Sequence, residues 1–392
     1  MKRETPIVDI ITGTRAEFGL LLPVIKKLEA DPELRLRVIV TGSHLCHALG
    51  YTADEIAASG VKISKEIDIL HDNAETPTDI AIARAVEGFS GYFKTSRPDM
   101  VIVLGDRYEI FAATTAAAIN EIPVAHISGG ETTEGAKDEF FRHCITKMSC
   151  LHFTATESYR RRVIQLGEQP LRVFNAGALG AENIRNIVPI RPRDLSDDIG
   201  FDMTKPFVLC TYHPETLGGA PALEGLDNML AAIKELKLRG LFTASNADEG
   251  GAEINARLEV FCAGNDEMNF VKSLGVVRYL SAMRCCTAVA GNSSSAIVEA
   301  PTLQKPVVNI GDRQKGRIMG DNTICCGTDK QSIKQALKKA VSPEFAKEVQ
   351  SMQSPFGSGH ASSVILREIK TALLDGVSLK KSFYDVDFEV DI

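Results

Sequence analysis

Residues 99–128 read DMVIVLGDRYEIFAATTAAAINEIPVAHIS. The flanking runs DMVIVLGD and PVAHIS are apolar, and the stretch between them, RYEIFAATTAAAIN, has helical periodicity. A strand that alternates apolar and polar residues keeps one face in water, whereas a continuously apolar strand is covered on both. The segment is therefore read as a strand-helix-strand unit of a parallel sheet with helices on each face.

Outward from this unit the alternation continues in both directions. PIVDIITG and RLRVIVTG precede it, LHFTAT and LRVFNAG follow it, and FGLLLPVIKKLEA supplies a further helix. Within residues 178–205 the pattern lapses into NIVPIRPRDLSDDIGFDMTKP, rich in Pro and Asp and without apolar alternation, which marks a domain boundary. It then restarts, with PFVLCTYH, LFTASNAD, TAVAGN, KPVVNIG and NTICCG as strands and LDNMLAAIKELKL and SSAIVEAPTLQ as helices.

A chain of 392 residues exceeds the roughly 250 to 300 at which a single core divides. The expected architecture is α/β, with two Rossmann-like domains whose parallel sheets face a central cleft. Their bounds are 1–185 and 206–358, joined by a linker at 186–205. A helix follows at 359–376, after the small-residue turn PFGSG. The tail, 377–392, alternates apolar and acidic residues and suits an arm, an added strand or a disordered end. Ligands of such sheets lie beyond the carboxyl ends of the strands, so the post-strand loops are where chemistry is sought.

Composition removes several classes of function. A net charge of −7 argues against nucleic acid or an anionic membrane as the main partner, and leaves room for a small anion bound by local basic groups. No run approaches the ~20 apolar residues of a membrane span. The start MKRETPIVDIITG does not have the form of a signal peptide, so a cytoplasmic location is expected. The nine cysteines include two adjacent pairs and no CxxC, which fits reduced, mostly buried thiols better than zinc or disulfides.

In AGNSSSAIVEAP, residues 290–301, a strand and a Gly-Asn turn lead to Ser293, Ser294 and Ser295 at the start of a helix. This is either an ordinary serine cap or an anion site built from backbone N–H groups and hydroxyls. A helix dipole contributes about 0.3 to 1 kcal/mol, occasionally ~2, so a diphosphate needs a charged partner too. Arg15 in TGTRAEFG and Arg313 in GDRQKGR follow strands and are candidates, with a solvated surface role as the alternative. Glu299, one helical turn beyond the serines, is placed to accept from ribose hydroxyls or to serve as a surface or capping residue.

The acids cluster elsewhere. Asp106 follows MVIVLG and either caps the next helix or projects as an acid or base. Glu131 follows two glycines that permit close approach of a ligand. Asp138 and Glu139 open DEFFRHCITKM as caps or as proton-transfer groups, and His213, in the turn after the strand FVLCTYHPET, is either a core or surface residue or a functional one. No GxGxxG, Walker A or EF-hand pattern is present, and neither cofactor nor metal is expected. Acids from several strands beside an arginine-serine anion site suit acid-base chemistry on a phosphorylated sugar better than phosphoryl transfer with magnesium.

The blocks GTRAEFGLL, GDRYEIFAA, GGETTEGAKDEFFRHCITKMS, HPET and GNSSSAIVEAPTLQKPVVNIGDRQKGR closely resemble the hydrolysing UDP-N-acetylglucosamine 2-epimerases of bacterial sialic acid synthesis, from about residue 5 to 375. Non-hydrolysing relatives typically carry Pro-Glu after GTR and lack the GGE block. The resemblance implies a GT-B-like fold with the C-terminal helix crossing back to the first domain, and a dimer or tetramer. It implies conversion of UDP-N-acetylglucosamine to N-acetylmannosamine and UDP through 2-acetamidoglucal. On that reading Asp106, Glu131 and Asp138 carry protons, with Glu139 as a substitute for Asp138. His213 assists the leaving phosphate or the sugar. Arg15, Ser293, Ser294, Ser295 and Arg313 hold the diphosphate, and Glu299 the ribose. Ser128 departs from relatives that have an acid or His there, which bears on the assignment of Glu131. The alternatives are the same chemistry on GDP-N-acetylglucosamine or a UDP-diacetamido-trideoxyhexose, and a GT-B glycosyltransferase.

Overall fold

Runs of Val, Ile and Leu that leave no polar face become the inner strands of two all-parallel sheets. The computed structural model describes residues 5–134, 137–214, 222–245, 250–357 and 359–387. Glu215 and Thr216 of the HPET run and residues 388–392 of the tail lie outside them. The chain forms two units, one of residues 1–131, 138–182 and 357–392, the other of 132–137 and 183–356.

The first unit contains β1 (Ile7–Thr12), β2 (Arg35–Thr41), β3 (Ile63–Ile67), β4 (Met100–Leu104), β5 (Val124–Ile127), β6 (Leu151–Thr154) and β7 (Val173–Asn175). They are ordered β3-β2-β1-β4-β5-β6-β7, and each described pairing is parallel. The connecting helices are α1 (Arg15–Glu29), α2 (Ala53–Ala58), α3 (Thr78–Thr95), α4 (Tyr108–Ile119), α5 (Asp138–Met148) and α6 (Glu157–Gln165), with α7 (Leu179–Asn186) at the boundary. Both faces of the sheet are dry, because Val8 and Ile10 of β1 belong to one core cluster and Ile11 to another.

The second unit contains α8 (Pro192–Ile199), β8 (Val208–Thr211), α9 (Ala222–Glu235), β9 (Gly240–Thr243), α10 (Gly251–Cys262), β10 (Met268–Val271), α11 (Gly275–Cys285), β11 (Ala288–Gly291), α12 (Ser294–Val298), β12 (Val307–Ile310), β13 (Thr323–Cys326), α13 (Lys330–Ala340) and α14 (Pro343–Gln350). Its sheet is ordered β10-β9-β8-β11-β12-β13 and is likewise parallel.

Four segments differ from the sequence expectation. Residues 186–205, read as a linker, contain α8, which starts on Pro192 in its first turn and ends on Gly200 at φ 71°. Its Leu195 is buried with Phe201, Met203 and Phe207 in a core of the second unit, so three apolar residues anchor a segment whose Pro and Asp content resembles loop. The helix SSAIVEAPTLQ is cut to five residues. Strands β3 and β10 have no counterpart in the reading, because both are edge strands and β3 exposes Ser64, Lys65 and Glu66. All nine cysteines are free; four are buried, while Cys144 and Cys325 are exposed, fewer in the core than expected. No helix of the described residues is long and apolar enough to cross a membrane.

The last helix, α15 (Ala361–Asp375), belongs to the first unit, where Ile365 and Ile369 pack with Leu21, Val24 and Ile25 of α1. Its amino end is held by Glu182, 3% exposed, which accepts from the Ser362 N–H at 2.7 Å and from the Ser362 hydroxyl. A buried carboxylate on a helix N-terminus satisfies orphan donors and complements the dipole. Glu182→Ala should therefore lower the stability of this unit by roughly 2 to 3 kcal/mol, read as an earlier denaturant midpoint. Glu182→Gln, which keeps an acceptor, should lose less.

Candidate functional site

In the first unit the strand order reverses between β1 and β4, and the turns after these strands carry Arg15 and Asp106. Turns that leave neighbouring strands in opposite directions open a crevice, the usual ligand position of such sheets. Asp106 follows Gly105, whose φ of 79° suits glycine. Next door on β5, the fully buried His126 has Nε2 2.7 Å from the Gly105 carbonyl and Nδ1 3.2 Å from Thr146 Oγ1. Burial pushes this imidazole down to about 3. The ring is thus neutral, Nε2–H donating to the carbonyl and Nδ1 accepting from the hydroxyl.

After β5 the chain turns through Ser128 at φ 65° and Gly130 at φ 79°. A Cβ on Gly130 would run into the Tyr159 carbonyl, so α6 lies directly against this turn, and Arg162 donates to the Gly130 carbonyl at 2.7 Å. Ser128 holds a left-handed conformation that costs a non-glycine residue on the order of 1 kcal/mol. Such a position needs support from its surroundings, here including its N–H to the Phe153 carbonyl at 2.8 Å.

Arg142 ties these turns together. Its side chain, 1% exposed, donates through Nη2 to the Asp106 carboxylate, and through Nη1 to Glu139 at 2.8 Å and to the Glu131 backbone carbonyl at 3.0 Å. Burial opposes its charge, but the carboxylates of Asp106, Glu131 and Glu139 outweigh that and raise its pKa above the ordinary value. One guanidinium thus gathers the end of β4, the turn after β5 and the first turn of α5. Asp138 opens the same turn, and His143 Nε2 lies 3.0 Å from Glu139. The N-cap residue of α4 is Arg107 rather than Asp106.

Arg15 is held in a two-point pair with Glu55 of α2, with Nε 2.7 Å from Oε2. Both side chains are more than a third exposed, and an ion pair of that kind is weak enough to be exchanged for a more highly charged anion. Behind Arg15, Glu17 and Thr14 form a capping box, with Glu17 accepting from the Gly13 N–H at 2.7 Å. Burial and the neighbouring Glu109 push Glu17 up to about 8.

In the second unit the order reverses between β8 and β11, and the turns after β8, β11 and β12 carry His213, the three serines and Arg313. Gly291 ends β11 at φ 130°, against the Thr211 carbonyl, where a Cβ has no room. Asn292, fully buried, then does for this unit what Arg142 does for the first. Its Oδ1 accepts from the His213 N–H at 2.7 Å and its Nδ2 donates to the His213 carbonyl at 2.8 Å. Arg313 Nη1 and Gln314 Nε2 donate to its backbone carbonyl at 3.1 and 2.8 Å. His213 Nδ1 sits 3.2 Å from Ser245 Oγ, and burial followed by the Arg313 charge holds its pKa well below the usual value. The imidazole is neutral.

The serine turn is hydroxyl-rich, and α12 is too short for a strong dipole. Ser293 is its N-cap residue, Ser294 is exposed, and Ser295 Oγ is bonded to the Tyr279 hydroxyl. Glu299 ends α12, and burial raises its carboxyl to about 7. Among the described residues, no group of three or more His, Cys, Asp or Glu is placed to hold a metal ion.

Comparison with known proteins decides the family. A family model described as UDP-N-acetylglucosamine 2-epimerase matches residues 26–370. The chain belongs to that family. It is similar to the polysialic acid biosynthesis protein P7 of Escherichia coli, 36% identical, with 96% of each chain covered. It is also similar to the GDP/UDP-N,N'-diacetylbacillosamine 2-epimerase (hydrolyzing) of Campylobacter jejuni subsp. jejuni, 39% identical over 86% of this chain and 88% of that one. Among solved structures, the UDP-GlcNAc 2-epimerase of Neisseria meningitidis bound to UDP-GlcNAc superimposes with a TM-score of 0.79 at 19% identity, covering 93% of this chain and 100% of that chain. The α/β, GT-B-like fold expected from the sequence is the fold of this epimerase family.

Each unit of this epimerase-family chain therefore gathers part of the expected set. Asp106, Glu131, Asp138, Glu139 and Arg15 lie in the first unit, and His213, Ser293, Ser294, Ser295, Glu299 and Arg313 in the second. Sequence reasoning passed over Arg142, Asn292, His126 and Tyr279. Arg142 had one signal, its i, i+3 spacing from Glu139 in a helix. Asn292 had another, since it follows the strand-ending glycine.

Two outcomes follow from this geometry. Asn292→Ala frees the His213 backbone and should lower kcat/KM for the enzyme's substrate by about 10², with little change in far-ultraviolet circular dichroism. Glu299 has a folded pKa near 7 against an ordinary 4.5, so between these values the folded chain keeps a proton that the unfolded chain releases. Stability from this group is full at low pH and is lost as pH rises toward 7. Glu299→Gln should flatten the pH dependence of the denaturant midpoint in that window.

Proposed function

We propose that the chain is a hydrolysing nucleotide-sugar 2-epimerase that converts UDP-N-acetylglucosamine to N-acetylmannosamine and UDP. The observation that carries the reading is the set of acids gathered by Arg142 at the ends of β4 and β5. Carbon 2 of the sugar has no neighbouring carbonyl, so its proton leaves only if the C1–O bond to UDP breaks and takes the electrons. The products of that step are UDP and 2-acetamidoglucal. Water then adds at carbon 1, and carbon 2 regains a proton on the opposite face, giving the 2-epimer.

Two faces require two proton-transfer groups, each worth roughly 10² to 10⁴ in rate. Asp106 and Glu131 fill these roles on this reading, with Asp138 or Glu139 relaying the proton returned to the sugar. In the second unit, Ser293, Ser294, Ser295 and Arg313 hold the diphosphate, where hydroxyls and a guanidinium stabilise the charge that develops as UDP departs. Arg15 exchanges Glu55 for an anionic phosphate group, Glu299 takes the ribose hydroxyls, and neutral His213 donates a hydrogen bond to the leaving phosphate or the sugar. The relatives named as hydrolysing support this branch.

One observation favours a second reading of the substrate. The Campylobacter jejuni relative at 39% identity is named for N,N'-diacetylbacillosamine linked to GDP or UDP, which leaves carbon 2 chemistry unchanged and alters the sugar at other positions. Parallel proton NMR time courses in heavy water with UDP-N-acetylglucosamine and the UDP- and GDP-linked diacetamido sugars separate the two by rate. The accepted substrate should give a product carrying solvent deuterium at carbon 2 together with free nucleoside diphosphate. A 2-epimeric product without deuterium contradicts the elimination. Asp106→Asn and Glu131→Gln should each lower kcat by about 10² to 10⁴.

A further inference from the structure

Helix α5 carries Asp138, Glu139 and Arg142 in its first half, so its axial position sets where the acid cluster stands. The carbonyls of its last turn, like those of any helix, lack partners inside the helix. One partner comes from far along the chain. Lys381, in the segment after α15, donates through Nζ to the Lys147 carbonyl at 2.9 Å and the Ser149 carbonyl at 2.7 Å. An ammonium at a helix carboxyl end also meets the negative end of the dipole.

The same ammonium is neutralised underneath. Glu168, 1% exposed, takes Lys381 at 2.7 Å, Lys147 at 2.7 Å and His152 Nε2 at 3.0 Å. Burial works against this carboxylate's charge, but its donors outweigh it and hold its pKa at about 2. Residues on either side of Lys381 are also anchored. Arg172 donates to the Ser378 carbonyl at 3.0 Å, Gln169 to the Ser382 hydroxyl at 3.0 Å, and the Tyr384 N–H to the Gly167 carbonyl at 2.9 Å. Phe383 lies against Gly167, where a Cβ would collide with its ring, and 5.1 Å from Lys147 Nζ. All of these residues belong to the first unit. Residues 377–387 have no regular secondary structure, so side-chain anchors rather than a strand ladder keep them in place.

We propose that this segment is a strap that positions the acid cluster, with Lys381 as a positioning residue acting through the carboxyl end of α5. The distance from Lys147 back to Asp138 is nine residues of helix, about 13 Å, so a shift of the helix at its far end is carried rigidly to the acids. Loosening the strap therefore degrades the chemical step more than substrate binding.

The test uses the full chain with Lys381→Ala and Lys381→Arg, and a chain ending at Gly376. Hydrogen exchange is followed by mass spectrometry over α5, with α3 as the internal control, and kcat and KM are measured with UDP-N-acetylglucosamine. Lys381→Ala and the shortened chain should exchange α5 faster than wild type while α3 is unchanged. Kcat should fall about ten-fold with KM within about three-fold, and Lys381→Arg should recover both. The activity readout rests on the proposed reaction, whereas the exchange readout does not depend on what the enzyme turns over. Wild-type exchange of α5 in Lys381→Ala overturns the strap, as does acceleration spread equally over α3 and α5. An arginine variant no better than alanine also overturns it. If the shortened chain does not fold, the two point variants decide.

Discussion

Arg142 is a large cation with 1% of its side chain exposed, and such a group is stable only where its partners replace the water it has lost. Here the partners are the carboxylates of Asp106 and Glu139 and the backbone carbonyl of Glu131. Removing any one of them leaves buried charge less well compensated, so the end of β4, the turn after β5 and the start of α5 are fixed together. The acids themselves would repel one another if brought together without a cation. The arginine is thus the condition for having several carboxylates in one place.

The second unit solves a different problem by similar means. Its buried hub is an amide, Asn292, which both donates to and accepts from the backbone of His213. Burial and Arg313 keep the His213 ring uncharged. Glu17, Glu299 and His126 are also held away from their ordinary pKa values, and burial is the first cause in each case. The desolvation that shifts these groups follows from covering both faces of each sheet, so the fold and the electrostatics have a common origin.

The parallel sheets were legible in the sequence because strands buried on both faces are written as apolar runs, unbroken in MVIVL and interrupted only by the Arg37-paired Asp9 in IVDII. Edge strands β3 and β10 were not, since ISKEI and MNFV lack that run. Helix α8 hid behind Pro192 and its aspartates, although Pro at the first turn and Gly200 at the end are capping signals. Asp106, Glu131 and the serine turn were visible because each follows a strand, and Asp138 and Glu139 because they open a helix. Arg142 and Asn292 were not singled out, because their roles depend on which loops come together, and spacing along the chain does not give that. The tail showed its alternating residues but not its anchor, since Lys381 meets Glu168 and the end of α5 across more than 200 residues of chain.

If Arg142 organises the acids as a unit, its loss and the loss of Asp106 are the same event seen from two sides. Kcat/KM measured for Arg142→Met, Asp106→Asn and the double variant tests this directly. The account predicts strong non-additivity, with the double variant within about three-fold of the slower single variant. Losses that multiply, each variant contributing its full factor independently of the other, would contradict it.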